Sequence, residues 1–199
     1  MQTITQYKDL ALKSLNGNWG KGAVAVLIYY LVTAVVTSLD YAVNGLGSII
    51  MVFVNLPLAW GLTCFFLSIS RDEEVTNGNL FDGFKDYGRI FITILLQNIY
   101  TVLWTLLLIV PGIIKSLSYA MTPFVLKDNP ELGYNAAIEE SMRMMNGKKM
   151  DLFLLYLSFI GWAILACLTL GIGFLFLIPY METTLAHFYA DAKEEANSL

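Results

Sequence analysis

Lys115 and Glu182 are the two side chains whose type and setting could do chemistry inside a membrane. Lys115 is the one charged residue in the roughly 37 positions from Ile90 to Leu126, and it follows Pro111 by four. Glu182 follows Pro179 by three, in another apolar stretch. An ionisable group at membrane depth is costly, and the usual reasons to keep one are an ion or substrate site, a gate or a proton relay. Comparable offsets from a proline bring both groups to similar depth, so Lys115 and Glu182 are candidates for a pair. It would be either a transport site beside broken helices or a structural pair, and Lys115 snorkelling to the interface is the simpler alternative.

Three amides come next. Gln97 and Asn98 fall mid-way along one apolar segment and Asn55 along another. Side chains of this kind can line a polar path or lock helices together, each interhelical hydrogen bond contributing roughly 0.6–2 kcal/mol. Pro57, Pro111 with Gly112, and Pro179 are the expected helix breaks. Met142, Met144, Met145 and Met150 could in principle offer soft thioethers to Cu(I), but packing explains them as well, and no metal or cofactor is expected. His187 is the single histidine. A His-Glu-x-x-His helix, a Gly-x-Ser-x-Gly elbow and a phosphate-binding Gly-Lys-Ser/Thr loop are all absent from the sequence. The expectation is a protein that is not an enzyme.

The elements that hold these residues are apolar helices. A hydrophobic fraction of 57% with 14% charged residues lies outside the soluble range of about 45–50% and 25%. No clustered basic face points to nucleic acid. The pattern predicts an all-α, polytopic membrane helix bundle forming a single domain over residues 1–199. Six short crossings pair as three hairpins, at about 23–70, 90–126 and 152–190. The turns fall at Asn44–Gly47, at Pro111-Gly112 and around Gly171 and Gly173. The first apolar segment starts after some 22 residues without a short cleavable core, so it reads as a retained helix. Eleven of the 12 basic residues fall on one side of this topology, which places both termini in the cytoplasm. Cys64 and Cys167 are expected as free, buried thiols. Asp40 should lie at the interface near the outer end of the first crossing.

Before each hairpin runs a short amphipathic stretch, at about 3–16, 79–88 and 130–146. In the first, Ile4, Tyr7, Ala11 and Leu15 share a face; in the third, Tyr134, Ala137, Ile138, Met142 and Met145 do. Asn129 and Pro130 suit a helix start. Such helices would lie on the cytoplasmic interface, apolar side down, with Gly17, Gly88 and Gly147 free to adopt the left-handed cap that turns the chain inward.

Several strings carry a resemblance. They are Pro111-Gly112-Ile113-Ile114-Lys115, Tyr119, Met121, Pro123 and Asp128-Asn129-Pro130, followed by Ala137-Ile138, Ser141, Met145 and Gly147. Further on come Leu157–Trp162, Leu168–Gly173, Pro179-Tyr180 and Phe188-Tyr189, and near the start Asn16–Trp19. In these the chain resembles the bacterial membrane family called domain of unknown function 975. The resemblance implies an integral membrane protein, typical of Gram-positive bacteria, with no assigned activity or functional residues. The family pattern frequently carries an amide where Glu182 stands, so no essential carboxylate is implied there.

The functional expectation is a non-enzymatic protein of the bacterial cytoplasmic membrane, serving as a membrane partner or scaffold. Its partners would be membrane lipid, a second copy or another membrane protein. The alternative is a small-solute or ion channel or transporter built on the polar residues at the broken helices.

Overall fold

The computed structural model describes residues 2–42 and 46–198, with the side chains of 39–48 left outside that description. Of the expected turn Asn44–Gly47, Asn44 and Gly45 lie outside the described residues, as does the Asp40 side chain, while Leu46 and Gly47 already belong to the following helix. The rest is helical, with no strand among the described residues. The elements are α1 (Ile4–Leu15), α2 (Trp19–Ala42), α3 (Leu46–Ser70), a 3-10 helix (Asn77–Phe84), α4 (Tyr87–Leu107) and α5 (Ile109–Tyr119). There follow α6 (Thr122–Asp128), α7 (Tyr134–Met144), α8 (Lys149–Leu157), α9 (Ile160–Leu168) and α10 (Phe174–Asn197).

Five segments are long and apolar enough to cross a membrane: Trp19–Ser38, Ile49–Ser70, Tyr87–Leu107, Ile109–Asp128 and Lys149–Leu168. This is consistent with a multi-pass membrane protein. The expected sixth crossing, on α10, is not among them. Glu182, His187, Asp191, Lys193, Glu194 and Glu195 make that helix too polar along its length.

The amphipathic stretches differ from expectation in what covers them. Tyr7, Ala11 and Leu15 of α1 are 0–2% exposed, because α1 lies along α10. Ala137, Ile138 and Ser141 of α7 and Met145 just after it are equally buried, and α7 packs on α4 and α6. Most of each apolar face is thus covered by the chain itself, with Ile4 and Met142 partly buried and Tyr134, at the start of α7, exposed. Large apolar side chains are exposed elsewhere, on the membrane-length segments. Leu106 to Val110 at the α4–α5 turn are all more than 60% exposed, and Leu168, Leu170 and Ile172 at the α9–α10 turn are similar.

Local chemistry explains where the helices stop. Gly17 and Gly147 both have φ +81°, the left-handed region that costs glycine nothing, and they separate α1 from α2 and α7 from α8. Gly88 lies inside α4 and needs no such conformation. The third amphipathic helix begins at Tyr134, not Pro130. The chain first makes a turn in which the Leu132 N–H donates to the Asn129 carbonyl at 3.0 Å. The second stretch closes as a 3-10 helix ending at Phe84, three residues before α4.

The expected proline breaks are also displaced. Pro57 and Pro179 lie inside continuous helices. A proline mid-helix orphans the carbonyl four residues earlier, and for Pro57 that carbonyl, on Phe53, accepts from the Tyr87 hydroxyl at 3.2 Å. Pro111 sits in the first turn of α5, where its missing N–H is no loss. The chain turns instead at Leu108, which is fully extended (φ -158°, ψ 135°), while Gly112 lies against Thr105.

Two unexpected interruptions divide α5 from α6 and α8 from α9. At the first, the buried Ser141 hydroxyl accepts from the Met121 N–H at 3.1 Å and donates to the Ser118 carbonyl at 2.9 Å. At the second, Lys8 Nζ donates to the Ser158 carbonyl at 3.0 Å. Removing the first bridge by Ser141→Ala strands two buried backbone groups. It should cost about 1–3 kcal/mol, read as a lower unfolding midpoint in detergent.

Candidate functional site

Glu182, Lys115, Gln97, Asn98 and Asn55 do not form one site. Glu182 is half-buried on α10 and accepts a hydrogen bond from the Thr63 hydroxyl of α3 at 3.2 Å. Tyr29 of α2 and Tyr156 of α8 stand within electrostatic range of it. Tyr29 in turn donates to Asn55 Oδ1 at 2.7 Å, tying α2 to α3. These side chains make a half-buried polar cluster where α2, α3, α8 and α10 face one another.

The candidate Lys115–Glu182 pair does not form. Lys115 Nζ stands 5.2 Å from the centre of the Trp104 ring and 6.0 Å from that of Tyr119, within range of a cation–π contact. The reason is tertiary. Helix α5 packs chiefly on α4, whereas α10 packs chiefly on α1, α2 and α3, and the two have only α7 as a shared neighbour, so equal offsets from a proline do not bring the side chains together.

Gln97 and Asn98 do not face each other's partners either. Asn98 is exposed, and its amide donates back to the Ile94 carbonyl of its own helix at 2.7 Å. The Gln97 Oε1 is buried without a hydrogen-bond donor. Cys64 is buried, but Cys167 is exposed, because it lies on the outer surface of α9. No group of three His, Cys, Asp or Glu side chains gathers among the described residues.

Three features escaped sequence reasoning. The first is an ionic knot around Asp128, whose side chain is 6% exposed. Arg71 grips the carboxylate with two hydrogen bonds at 2.8 and 2.7 Å, the Tyr189 hydroxyl donates at 2.9 Å, and Lys193 forms a further ion pair. This joins the ends of α3 and α6 to α10. The string Asp128-Asn129-Pro130 was the one hint, and it carried no information about three partners so distant in sequence.

The second is a contact of 3.0 Å between Ser14 Oγ and His187 Nε2. A nucleophile needs such a base, and the base needs an orienting acceptor on its other nitrogen. No carboxylate is hydrogen-bonded there among the described residues, so the contact has the geometry of an α1–α10 link. Nearby, the buried Tyr7 hydroxyl donates to Asp191, which also accepts from the Gln2 N–H at 2.9 Å. Burial and then the Asp191 charge push the Tyr7 phenol above its ordinary range. That favours the neutral phenol in the folded chain, so its contribution is present below an unfolded-state pKa of about 10 and is lost as pH rises through the folded value.

The third is an apolar slot of about 400 Å³ between α1, the start of α2, α9 and α10. Its volume is within the range of small-molecule sites.

With this geometry in place, the comparison with known families gives one match, over the C-terminal part of the chain. Residues 106–196 match the family described as protein of unknown function, DUF975. The matched span runs from the end of α4 to the end of α10 and contains Asp128, Ser141, Lys115 and Glu182. The similar string Asn16–Trp19 lies outside it. Neither a curated protein nor a solved structure matches the chain.

Proposed function

We propose that the chain is a non-enzymatic multi-pass protein of the bacterial cytoplasmic membrane that acts as a partner or scaffold for other membrane components. Six crossings in three hairpins, with both termini cytoplasmic, remain the preferred topology, the first turns of α10 completing the last hairpin against α9. The carrying observation is where the uncovered apolar surface lies. Most of the apolar faces of α1 and α7 is occupied by the chain itself, whereas the membrane-length segments and the turns joining them leave Leu106–Val110, Leu165, Leu168 and Ile172 exposed. Partner contacts would then be made within the bilayer and not from the cytoplasmic side.

Photo-crosslinking in native membranes tests this. A discrete protein adduct from Leu106 or Leu168, with none from Asp9 or Glu139, is the expected result. Lipid adducts alone at every position would remove the partner reading.

One observation favours the second reading, a solute or ion path. The half-buried Glu182 has a hydroxyl partner and no ion pair, an arrangement that membrane proteins use for protons and cations. Under the scaffold reading, proteoliposomes stay tight to ions and small solutes, and Glu182→Gln, Glu182→Ala and Lys115→Ala change nothing. Protein-dependent flux that falls with Glu182→Ala would instead make transport the leading activity.

A further inference from the structure

The turn between α9 and α10 holds a leucine where the backbone favours glycine. Helix α9 ends with the Gly171 N–H donating to the Ala166 carbonyl at 3.2 Å and the Leu170 N–H to the Cys167 carbonyl at 3.1 Å. In this Schellman pattern the left-handed position is usually a glycine. Here Leu170 occupies it at φ +54°, where a Cβ crowds the backbone. Its side chain is 95% exposed, the most of any large apolar residue among those described. The fold thus keeps a strained backbone to hold a leucine outward.

The apolar slot adjoins that turn. Thr169 and Gly173, on either side of Leu170, line one end of it, and Trp162, Leu165 and Phe176 carry its walls along α9 and α10. Trp162, Leu165 and Thr169 recur at helical spacing, so one face of α9 makes its wall. A projecting apolar knob and an open apolar slot therefore lie side by side on one hairpin. A two-fold pair needs this arrangement, because each copy must offer both the part that projects and the part that receives.

The area is sufficient. Trp162, Leu165, Leu168, Leu170, Ile172 and Phe176 are each 53–95% exposed. At about 150–200 Å² for a large apolar side chain, they present on the order of 800 Å², the share each partner brings to a standard interface. A lipid chain would cover the same surface, but it fits any apolar side chain and gives no reason to hold one in strain. Between helices in a bilayer, close packing supplies the attraction, and a preformed slot rewards a fixed knob.

We infer that the α9–α10 hairpin pairs two copies of this chain about a two-fold axis, with Leu170 of each seated in the slot of the other. This rests on the membrane partner reading above and names the partner as a second copy.

The test uses the full-length chain in phosphatidylcholine–phosphatidylglycerol liposomes, with donor and acceptor fluorophores on the C-termini of two preparations. Energy transfer is followed as added lipid dilutes the protein. Wild type should show saturable transfer fitting a one-to-one pair. Leu170→Gly removes the knob and also relieves the backbone. It should weaken pairing at least about tenfold, as loss of a buried leucine does, while the unfolding midpoint stays equal or rises. Leu165→Trp, which fills the slot, should weaken pairing similarly. In a background of Cys64→Ala and Cys167→Ala, copies carrying Leu170→Cys and copies carrying Leu165→Cys should form a mixed disulfide when oxidised together.

Transfer no higher than random co-occupancy in the wild type, or pairing by Leu170→Gly equal to wild type, overturns the inference. A crosslink from Leu168 to a different protein would then leave the partner reading standing without it. Recovery of the chain from the soluble fraction of cells defeats the membrane reading and the inference together.

Discussion

Replacing Asp128 by alanine is expected to lower stability by about 1–3 kcal/mol, the cost of leaving its hydrogen-bond partners unsatisfied, below that of breaking a fully buried ion pair because Arg71 and Lys193 reach solvent. The carboxylate is the common acceptor for Arg71, Lys193 and Tyr189. Its loss leaves two cations and a hydroxyl facing one another beside the apolar cluster that contains Val125, Leu126 and Tyr189. Asp128→Asn keeps the shape and one acceptor, and should fall between wild type and alanine. Thermal unfolding in detergent, read by size-exclusion profile, separates the three. Equal midpoints for all three would mean that solvent screens the knot, as it does for surface pairs.

The second large effect is expected at Gly61 and Gly83. A Cβ on Gly61 would come within 2.0 Å of the Leu80 carbonyl oxygen, and one on Gly83 within 2.1 Å of the Pro57 carbonyl oxygen. Both obstacles are backbone, so no rotamer change relieves them. The 3-10 helix lies directly on α3 through these two glycines, with Leu80 wholly buried between them. Gly61→Ala or Gly83→Ala should each cost at least about 3 kcal/mol, the upper end of overpacking penalties. Loss of monodisperse protein is the expected readout. Gly20→Ala is the control, since nothing lies within 4 Å of a Cβ there, and it should express normally.

How far the sequence could be read depended on how local the cause was. The first amphipathic stretch, expected over 3–16, folds as Ile4–Leu15, with Thr3 and Gln6 forming a reciprocal cap. Asn16-Gly17 and Asn146-Gly147 turn the chain as their types require. The start of α7 was misplaced by four residues, because Asn129-Pro130 makes a tight turn that looks like a helix cap in one dimension. Pro57 and Pro179 misled for a related reason. A proline's cost is settled by what else can satisfy the freed carbonyl, and for Pro57 that is Tyr87 from a different helix.

The site residues show the same division. Residue type marked Lys115 and Glu182 as unusual, but whether they meet depends on which helices are neighbours. Asp128, between Lys127 and Asn129, carries no distinguishing mark in the sequence. Its importance arises because Arg71, Tyr189 and Lys193, 57 to 65 positions away, converge on it.

Hydrophobic runs and 3.6-residue periodicity along a single chain were enough for the all-helical class and for the first five apolar segments, whereas α10, expected as a sixth crossing, proved too polar along its length. Only the packing of the helices decided that most of the amphipathic faces of α1 and α7 are buried, that Lys115 and Glu182 stand apart, and that α1, α9 and α10 enclose an apolar slot. The physical reason is that an amphipathic face states only that it will leave water. Lipid and protein are both apolar enough to receive it, and only the packing of the other helices selects between them.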